Sequence, residues 1–251
     1  MIEHIWEGIY RSFAEAPAVG DGFEGKTWGE RSSLRALGLR QAAQEQRTIP
    51  SIVAYPASLL PFLAALIYQQ QGHLRILDFG GALGYTYFPV ICALPDSLGV
   101  DYHIVDTPLI VRIGEAMFAD DDRITFHESL PDLLKEVDIV HIGSSLQYIE
   151  DWRGTLAALT AYHPLTFLFT DLPAGDIPTY VTLQNYYESR IPCWFFNIGE
   201  VLDVMAGLGY RLAFKSTYLS TILGKQQPFP QDNFPQEYRL GYPASLLFCP
   251  A

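Results

Sequence analysis

The apolar positions of this chain change their period along its length, and those changes mark its elements. In the middle third, short apolar runs alternate with amphipathic stretches of helical spacing. Leu74–Phe79 (LRILDF), Tyr102–Val105 (YHIV), Arg123–His127 (RITFH), Asp138–Gly143 (DIVHIG) and Thr166–Thr170 (TFLFT) read as five buried strands. Between them, helices are predicted over Tyr85–Leu94, from Thr107-Pro108 onward, from Ser129 through Val137, and over Asp151–Tyr162. Thr107 suits a helix cap, and Pro108 is tolerated at the first helical position. Strands alternating with helices in this way predict a parallel sheet covered on both faces.

The flanks differ. Residues 1–50 read as helix, loop, helix, with Gly20, Gly22 and Gly25 in the loop, and a further helix is predicted over Ala57–Gln71. Leu172–Phe196 is rich in aromatics and proline and shows no clear period. Asn197-Ile-Gly-Glu200 opens a helix like a capping box, and that helix stops at Gly209. Two strands, about Tyr210–Tyr218 and Ala244–Cys249, close the chain as an antiparallel pair. The expected architecture is α/β and doubly wound. It has a mostly parallel seven-stranded sheet with an antiparallel last strand, and an N-terminal helical segment over residues 1–71. Residues 72–251 form the main domain, with residues 172–196 as a substrate-side insertion.

Composition narrows the classes of partner. Hydrophobic residues make up 49% of the 251-residue chain and the net charge is −12. A surface this acidic repels phosphate backbones, so nucleic acid is not expected as a partner. Three cysteines, far apart, form neither a disulfide framework nor a zinc set and fit a reducing cytoplasm. The uncharged stretch Ile52–Tyr68 approaches the length of a membrane span, but Pro56, Pro61 and the strand just beyond it favour a buried helix. No His/Asp/Glu set has metal-ligand spacing.

The strongest local signal is Asp78-Phe-Gly80-Gly81-Ala82-Leu-Gly84, where the first strand passes into a helix. Small residues there let a ligand approach the backbone, beyond the carboxyl ends of the strands. A dinucleotide loop would need glycine at positions 82 and 85, where the chain has Ala82 and Tyr85. The spacing resembles instead the D-x-G-x-G-x-G loop of class I S-adenosylmethionine-dependent methyltransferases, with Ala82 at the middle glycine. Asp138-Ile-Val-His-Ile-Gly-Ser-Ser-Leu-Gln-Tyr-Ile-Glu-Asp151 resembles their fourth strand and its loop, with Gln147 and Tyr148 at the Glu-His positions. The likeness covers residues 72–171 and 197–251. Trp6–Tyr10, Tyr180–Gln184 and Ile191–Asn197 further resemble an uncharacterised bacterial family of methyltransferase-like proteins.

That resemblance implies S-adenosylmethionine as the methyl donor and a hydroxyl of a small-molecule or carbohydrate-like acceptor. Asp78, Gly80, Gly81 and Gly84 are then expected at the methionine and ribose end, and Asp106 on the ribose hydroxyls. Phe126, His127 and Glu128 are expected near the adenine, and Gly143, Ser144 and Ser145 near the sulfonium. Tyr148 and Asp171 are the candidate catalytic residues. Gln147, Tyr180, Gln184, Tyr187, Trp194 and Asn197 are the candidate acceptor-binding residues. Two other readings stay open: a binding protein that kept this fold without turnover, and a nicotinamide-dependent enzyme. The acceptor's identity and the oligomeric state are not legible.

Overall fold

A computed structural model describes residues 4–45, 59–95, 98–132, 136–222 and 224–251. The central sheet has seven strands: β2 (Leu74–Phe79), β3 (Val100–Val105), β4 (Ile124–His127), β5 (Ile139–Gly143), β6 (Thr166–Leu172), β10 (Tyr210–Thr217) and β13 (Ala244–Pro250). Their order across the sheet is β10-β13-β6-β5-β2-β3-β4. The pairs among β6, β5, β2, β3 and β4 are parallel, whereas β13 runs antiparallel to both β6 and β10. The final strand is therefore the antiparallel one, inserted beside the edge.

The strands read as continuous apolar runs because both faces are covered. One face packs Ile76, Tyr102, Ile104 and Phe126 against α1 (Lys26–Gln44), α2 (Leu59–Gln71), α3 (Tyr87–Ala93) and α4 (Pro108–Met117). The other packs Leu77, Val140, Phe167 and Phe169 against α5 (Trp152–Thr160) and α6 (Ile198–Gly207). Chain order reverses between β2 and β5. β2 leads outward to β3 and β4, and the chain then returns to β5 on the opposite side. Side loops diverge at that point and leave a crevice beyond the carboxyl ends.

Several local expectations need correction. Trp6–Tyr10 is a strand, β1, not a helix. It pairs antiparallel with β8 (Tyr180–Tyr186), which pairs with β9 (Ser189–Asn197), so long-range pairing sets its conformation. The short β7 (Ala174–Gly175) completes this second, four-stranded sheet. Over Tyr180–Leu183 the β8 strand is buried on both sides and shows no period, whereas β9 alternates buried and more open positions. Tyr180, Cys193 and Phe195 pack in one cluster, and Val181 and Leu183 in another. The β8–β9 hairpin turn places Tyr187 at φ +52°, a left-handed position without the glycine or asparagine that signals such turns.

Thr107 holds the cap position of α4, but its hydroxyl makes no capping bond. The helix expected over Ser129–Val137 is absent at residues 129–132 and 136–137, and residues 133–135 lie outside the described set. A two-residue pair, β11 (Thr221–Ile222) with β12 (Lys225–Gln226), follows β10. Of the Ile52–Tyr68 stretch, residues 52–58 lie outside the described residues, and the remainder belongs to α2. Among the described residues no helix is long and apolar enough to cross a membrane.

Candidate active site

A cleft of about 1500 Å³ opens at the carboxyl ends of β2, β3, β5 and β6. Its floor is an interlocked set of polar groups. Asp78 ends β2 and is 1% exposed. Its Oδ2 accepts from the Tyr102 hydroxyl at 2.7 Å and the Thr86 hydroxyl at 2.6 Å. Its Oδ1 lies 2.8 Å from Nδ1 of His141. A carboxylate only accepts, so that nitrogen carries the proton, and Nε2 faces the Thr170 hydroxyl at 3.0 Å. Burial alone would push the Asp78 carboxyl up; His141, with the Thr86 and Tyr102 bonds, overcomes this and holds it below the ordinary range. Asp78 is therefore fully engaged from beneath the loop. Asp78 nevertheless lines the cleft from beneath the loop, as expected.

The loop above it is tied at several points. The Gly80 amide donates to the Val105 carbonyl at 2.8 Å, and the Ala82 amide to Asp106 Oδ2 at 2.9 Å. Gly80 has φ +74°, and a Cβ there would come within 2.3 Å of Ser145, so this position demands glycine. Ala82 stands at φ +48° where the resembled pattern has glycine, a conformation that costs about 1–2 kcal/mol for an L residue. Asp106 also accepts from the Thr107 amide at 2.7 Å. Burial pushes its carboxyl up, opposed by these two amide bonds. A carboxylate offers about four lone-pair positions. Two are used here, and the side chain lines the cleft with the others free for a diol.

Across the cleft, β5 and β6 end in two strained residues side by side: Ser144 at φ +54° and Asp171 at φ +54°. Neither is glycine, and such strain in a site is maintained by the surrounding structure. Asp171 Oδ1 accepts from the Ser220 hydroxyl at 2.7 Å. Burial pushes its carboxyl up to about 6, although bonds from Ser220 and Ser144 pull it down. Tyr148, in the loop after β5, donates to Gln184 Oε1 at 2.5 Å and meets the Phe23 ring edge-on at 4.7 Å. Burial holds its phenol well above the ordinary value. It is thus a neutral donor at ordinary pH and no base.

The cleft gathers many of the predicted residues and excludes others. Gly80, Gly81, Asp106, Glu128, Gly143, Ser144, Ser145, Tyr148, Asp171 and Gln184 line it. Gly84 sits below, its amide bonded to the Gly81 carbonyl at 3.2 Å. Phe126 and His127 do not reach it, and both expectations are corrected. Alternation along β4 sends Phe126 into the core against Phe118, and turns His127 to the other face, where its Nε2 lies 2.9 Å from Nδ1 of His103. Ser129 and Leu130, just beyond, line the cleft in their place.

Four acceptor candidates are also corrected. Tyr180 is buried and donates to the Tyr238 carbonyl at 2.8 Å. Asn197 caps α6 through the Glu200 amide, 3.2 Å away. Trp194 Nε1 donates to the Ile149 carbonyl at 3.2 Å and so props the loop that carries Tyr148. Tyr187 occupies the hairpin turn beneath the Arg31 guanidinium. Gln147 lies behind Ser144, to which its Nε2 donates at 3.1 Å. Residues missed in the sequence include Trp28 and Arg35 of α1, and Tyr218, Ser220 and Thr221 after β10. They converge from remote segments, and nothing local marks them.

The fold has counterparts among solved structures. A Burkholderia thailandensis 1,6-didemethyltoxoflavin N1-methyltransferase, bound to 1,6-didemethyltoxoflavin and S-adenosylhomocysteine, superimposes with a TM-score of 0.51 at 13% identity, over 88% of this chain and 89% of that one. A Listeria monocytogenes protein assigned as an S-adenosylmethionine-dependent methyltransferase gives a TM-score of 0.51 at 9% identity, over 71% of this chain and 92% of that one. The chain has the class I methyltransferase fold. No family model and no curated protein sequence matches it. The glycine loop, Asp106 and the β5 and β6 loops converge at the strand reversal, where open α/β sheets leave a crevice for ligands.

Removing the Tyr148 hydroxyl tests how this wall is built. Tyr148→Phe leaves Gln184 without its donor while keeping the ring against Phe23. The expected result is a roughly fivefold to tenfold weaker acceptor KM, the worth of about 1–1.5 kcal/mol, with S-adenosylhomocysteine affinity unchanged. Steady-state kinetics beside calorimetry separate the two.

Proposed function

We propose that this chain transfers a methyl group from S-adenosylmethionine to a hydroxyl of a small-molecule or carbohydrate-like acceptor. The observation that carries the reading is Asp106, a cleft-lining carboxylate already oriented by two amides, beside a glycine loop and across from Asp171. The cleft, at about 1500 Å³, exceeds the roughly 300–1,000 Å³ of ordinary small-molecule pockets and has room for a donor and an acceptor together. S-adenosylmethionine supplies an electrophilic methyl carbon on a positively charged sulfur.

The chain's own residues do the rest. Asp106 would orient the ribose diol, and the loop at Gly80 and Gly81, which lines the cleft, would border the methionine end. Glu128, Ser129 and Leu130 border the adenine. Asp171 takes the proton from the acceptor hydroxyl as its oxygen bonds to the methyl carbon and the carbon–sulfur bond breaks. S-adenosylhomocysteine and the methyl ether are the products. Orientation of the reacting groups supplies much of the rate, as much as roughly 7–11 kcal/mol in favourable cases. Phe23, Trp28 and Tyr186 wall the cleft and limit water.

Calorimetry tests the donor assignment directly. Asp106→Ala removes charge-assisted bonds worth about 1.5–3 kcal/mol, so S-adenosylhomocysteine binding is expected to weaken at least roughly tenfold. Wild-type affinity in this variant, or no binding by the parent protein, would remove the assignment.

A further inference from the structure

Among the described residues that line the cleft, Arg35 of α1 is the sole Lys or Arg, set against carboxylates that include Asp106, Glu128, Asp151 and Asp171. In a chain of net charge −12, a guanidinium in such company is expected to pair with one of them. It does not. Among the described residues Arg35 makes no hydrogen bond and no ion pair, and its guanidinium carbon lies 4.3 Å from the centre of the Tyr85 ring. Stacking of this kind uses the face of the guanidinium and leaves its N–H edge free for a ligand.

The helix repeats the arrangement one turn earlier. Arg31 lies over the Tyr187 ring at 5.2 Å and likewise has no carboxylate partner among the described residues. Like charges at this i, i+4 spacing repel, and no ion pair relieves the repulsion here. Arg35 also acts on the phenols around it. Burial pushes the Tyr85, Tyr186 and Tyr218 hydroxyls up, and the guanidinium opposes that push at all three. Tyr218 is close enough to Asp171 to be raised further by its carboxylate. Arg35 therefore faces the side of the cleft built by the β8–β9 hairpin and the segment after β10, where Asp171 stands.

We propose that the acceptor is an anion, its carboxylate or phosphate held on the N–H edge of Arg35 while its hydroxyl lies at Asp171. The proposal rests on the methyl-transfer reading for the role of Asp171. The planar fork of a guanidinium matches a pair of carboxylate or phosphate oxygens, and such charge-assisted bonds are roughly twice as strong as neutral ones. Charge also sets the orientation. The carboxylates of the cleft repel an anionic group everywhere except around Arg35, so the acceptor enters with its charged end on α1 and its hydroxyl end away from it. A neutral acceptor would leave Arg35 unpaired, and a cationic one would be repelled by it. The α-carboxylate of S-adenosylmethionine offers Arg35 the same chemistry, so the experiment includes a donor fragment that lacks it.

Matched acid and neutral probes test this on the intact protein saturated with S-adenosylhomocysteine: 4-hydroxybenzoate beside its methyl ester, and methyl α-glucuronide beside methyl α-glucoside. Ligand-observed NMR titration of the parent protein is expected to show at least one acid bound about tenfold or more tightly than its neutral counterpart. Arg35→Gln is expected to abolish that preference. Arg35→Lys, which keeps the charge and loses the fork, is expected to retain part of it. Arg35 is exposed on α1, so both variants should unfold at the parent's midpoint. Calorimetry with S-adenosylhomocysteine and with 5′-methylthioadenosine, which has no carboxylate, separates the two sources of the anion. Arg35→Gln is expected to leave both affinities unchanged. Selective weakening of S-adenosylhomocysteine would assign Arg35 to the donor and overturn the proposal. Equal binding of acid and neutral probe in both pairs, or an acid preference that survives Arg35→Gln, would overturn it as well. Failure of the parent protein to bind S-adenosylhomocysteine would remove the methyl-transfer reading and the acceptor role with it, whereas the probe selectivities report on Arg35 alone.

Discussion

Asp171→Asn is expected to lower turnover by about 10²–10⁴ while raising the thermal stability of the protein. The kinetic loss follows from removing the group that accepts the acceptor's proton. With its carboxyl pushed up to about 6, Asp171 is ionised at neutral pH yet basic enough to serve. In the parent protein kcat/KM should fall about tenfold per pH unit below about 6 and level off above it. The groups that face Asp171 leave this limb clean. Tyr148 and Tyr218 are both pushed up by burial and stay neutral, and Ser144 and Ser220 do not titrate. The gain in stability has the opposite origin. A carboxyl near 6 in the fold and 3.8 unfolded prefers to be neutral when folded. Its ionisation therefore costs stability increasingly as pH rises from about 4 to about 6, and fully above that. The full preference is about 3 kcal/mol. Partial solvent contact reduces what asparagine recovers to about 1–2 kcal/mol. Asparagine also tolerates φ +54° better than most residues and can still accept from Ser220. Thermal unfolding at pH 7.5 should show the variant ahead, with the gap closing near pH 4. Full activity in the variant would remove Asp171 as the base.

How much of this was legible depends on whether the signal was local. The five parallel strands announce themselves because each is an apolar run between a turn and a cap. The glycine loop is readable because Gly80 occupies a backbone conformation and a closeness to Ser145 that other residues cannot share. Asp106 and Asp171 are legible from position alone, since a polar residue ending a buried parallel strand stands at the ligand-facing edge. The second sheet was illegible for the converse reason. β1 acquires its strand character from a partner more than half the chain away, and β8 is buried on both faces over its first four residues, which erases the period-two pattern there. The aromatic residues of that hairpin look like ligand contacts in sequence. Most of them instead pack on one another, as Tyr180 does on Phe195 with ring centres 5.4 Å apart. Strand parity decided Phe126 and His127: one step along β4 separates the core from the opposite face, and neither face is the cleft. Ser220 and Tyr218 come from a loop with no distinguishing pattern, and only the closing of β10 onto β13 brings them to Asp171.

The largest loss of stability is expected from Asp78→Ala. Its carboxylate accepts from Tyr102, Thr86 and His141 in a setting 1% exposed, so truncation strands three buried donors at once. Breaking such a buried pair from one side costs about 3–5 kcal/mol. In a domain of this size that corresponds to a fall in Tm of roughly 6–20 °C. The pH dependence gives the assignment its sign. Asp78 is held below its ordinary value, so its contribution is fully present above about 3.8 and is lost as pH falls through the lower folded value. The difference between parent and variant should therefore be largest near neutrality and shrink in acid, with the variant the less stable, opposite in sign to Asp171→Asn. His141→Ala combined with Asp78→Ala completes a cycle, and the two losses should overlap rather than add, because each single variant already breaks the same pair. The glycine loop stands directly on Asp78, with Gly81 so close that a Cβ there would lie 2.7 Å from the Asp78 carboxyl carbon. Slackening this support should also weaken S-adenosylhomocysteine binding, since Asp78 lines the cleft beneath the loop. Additive losses in the cycle, or a Tm within about 2 °C of the parent, would show that the buried network does not hold the loop.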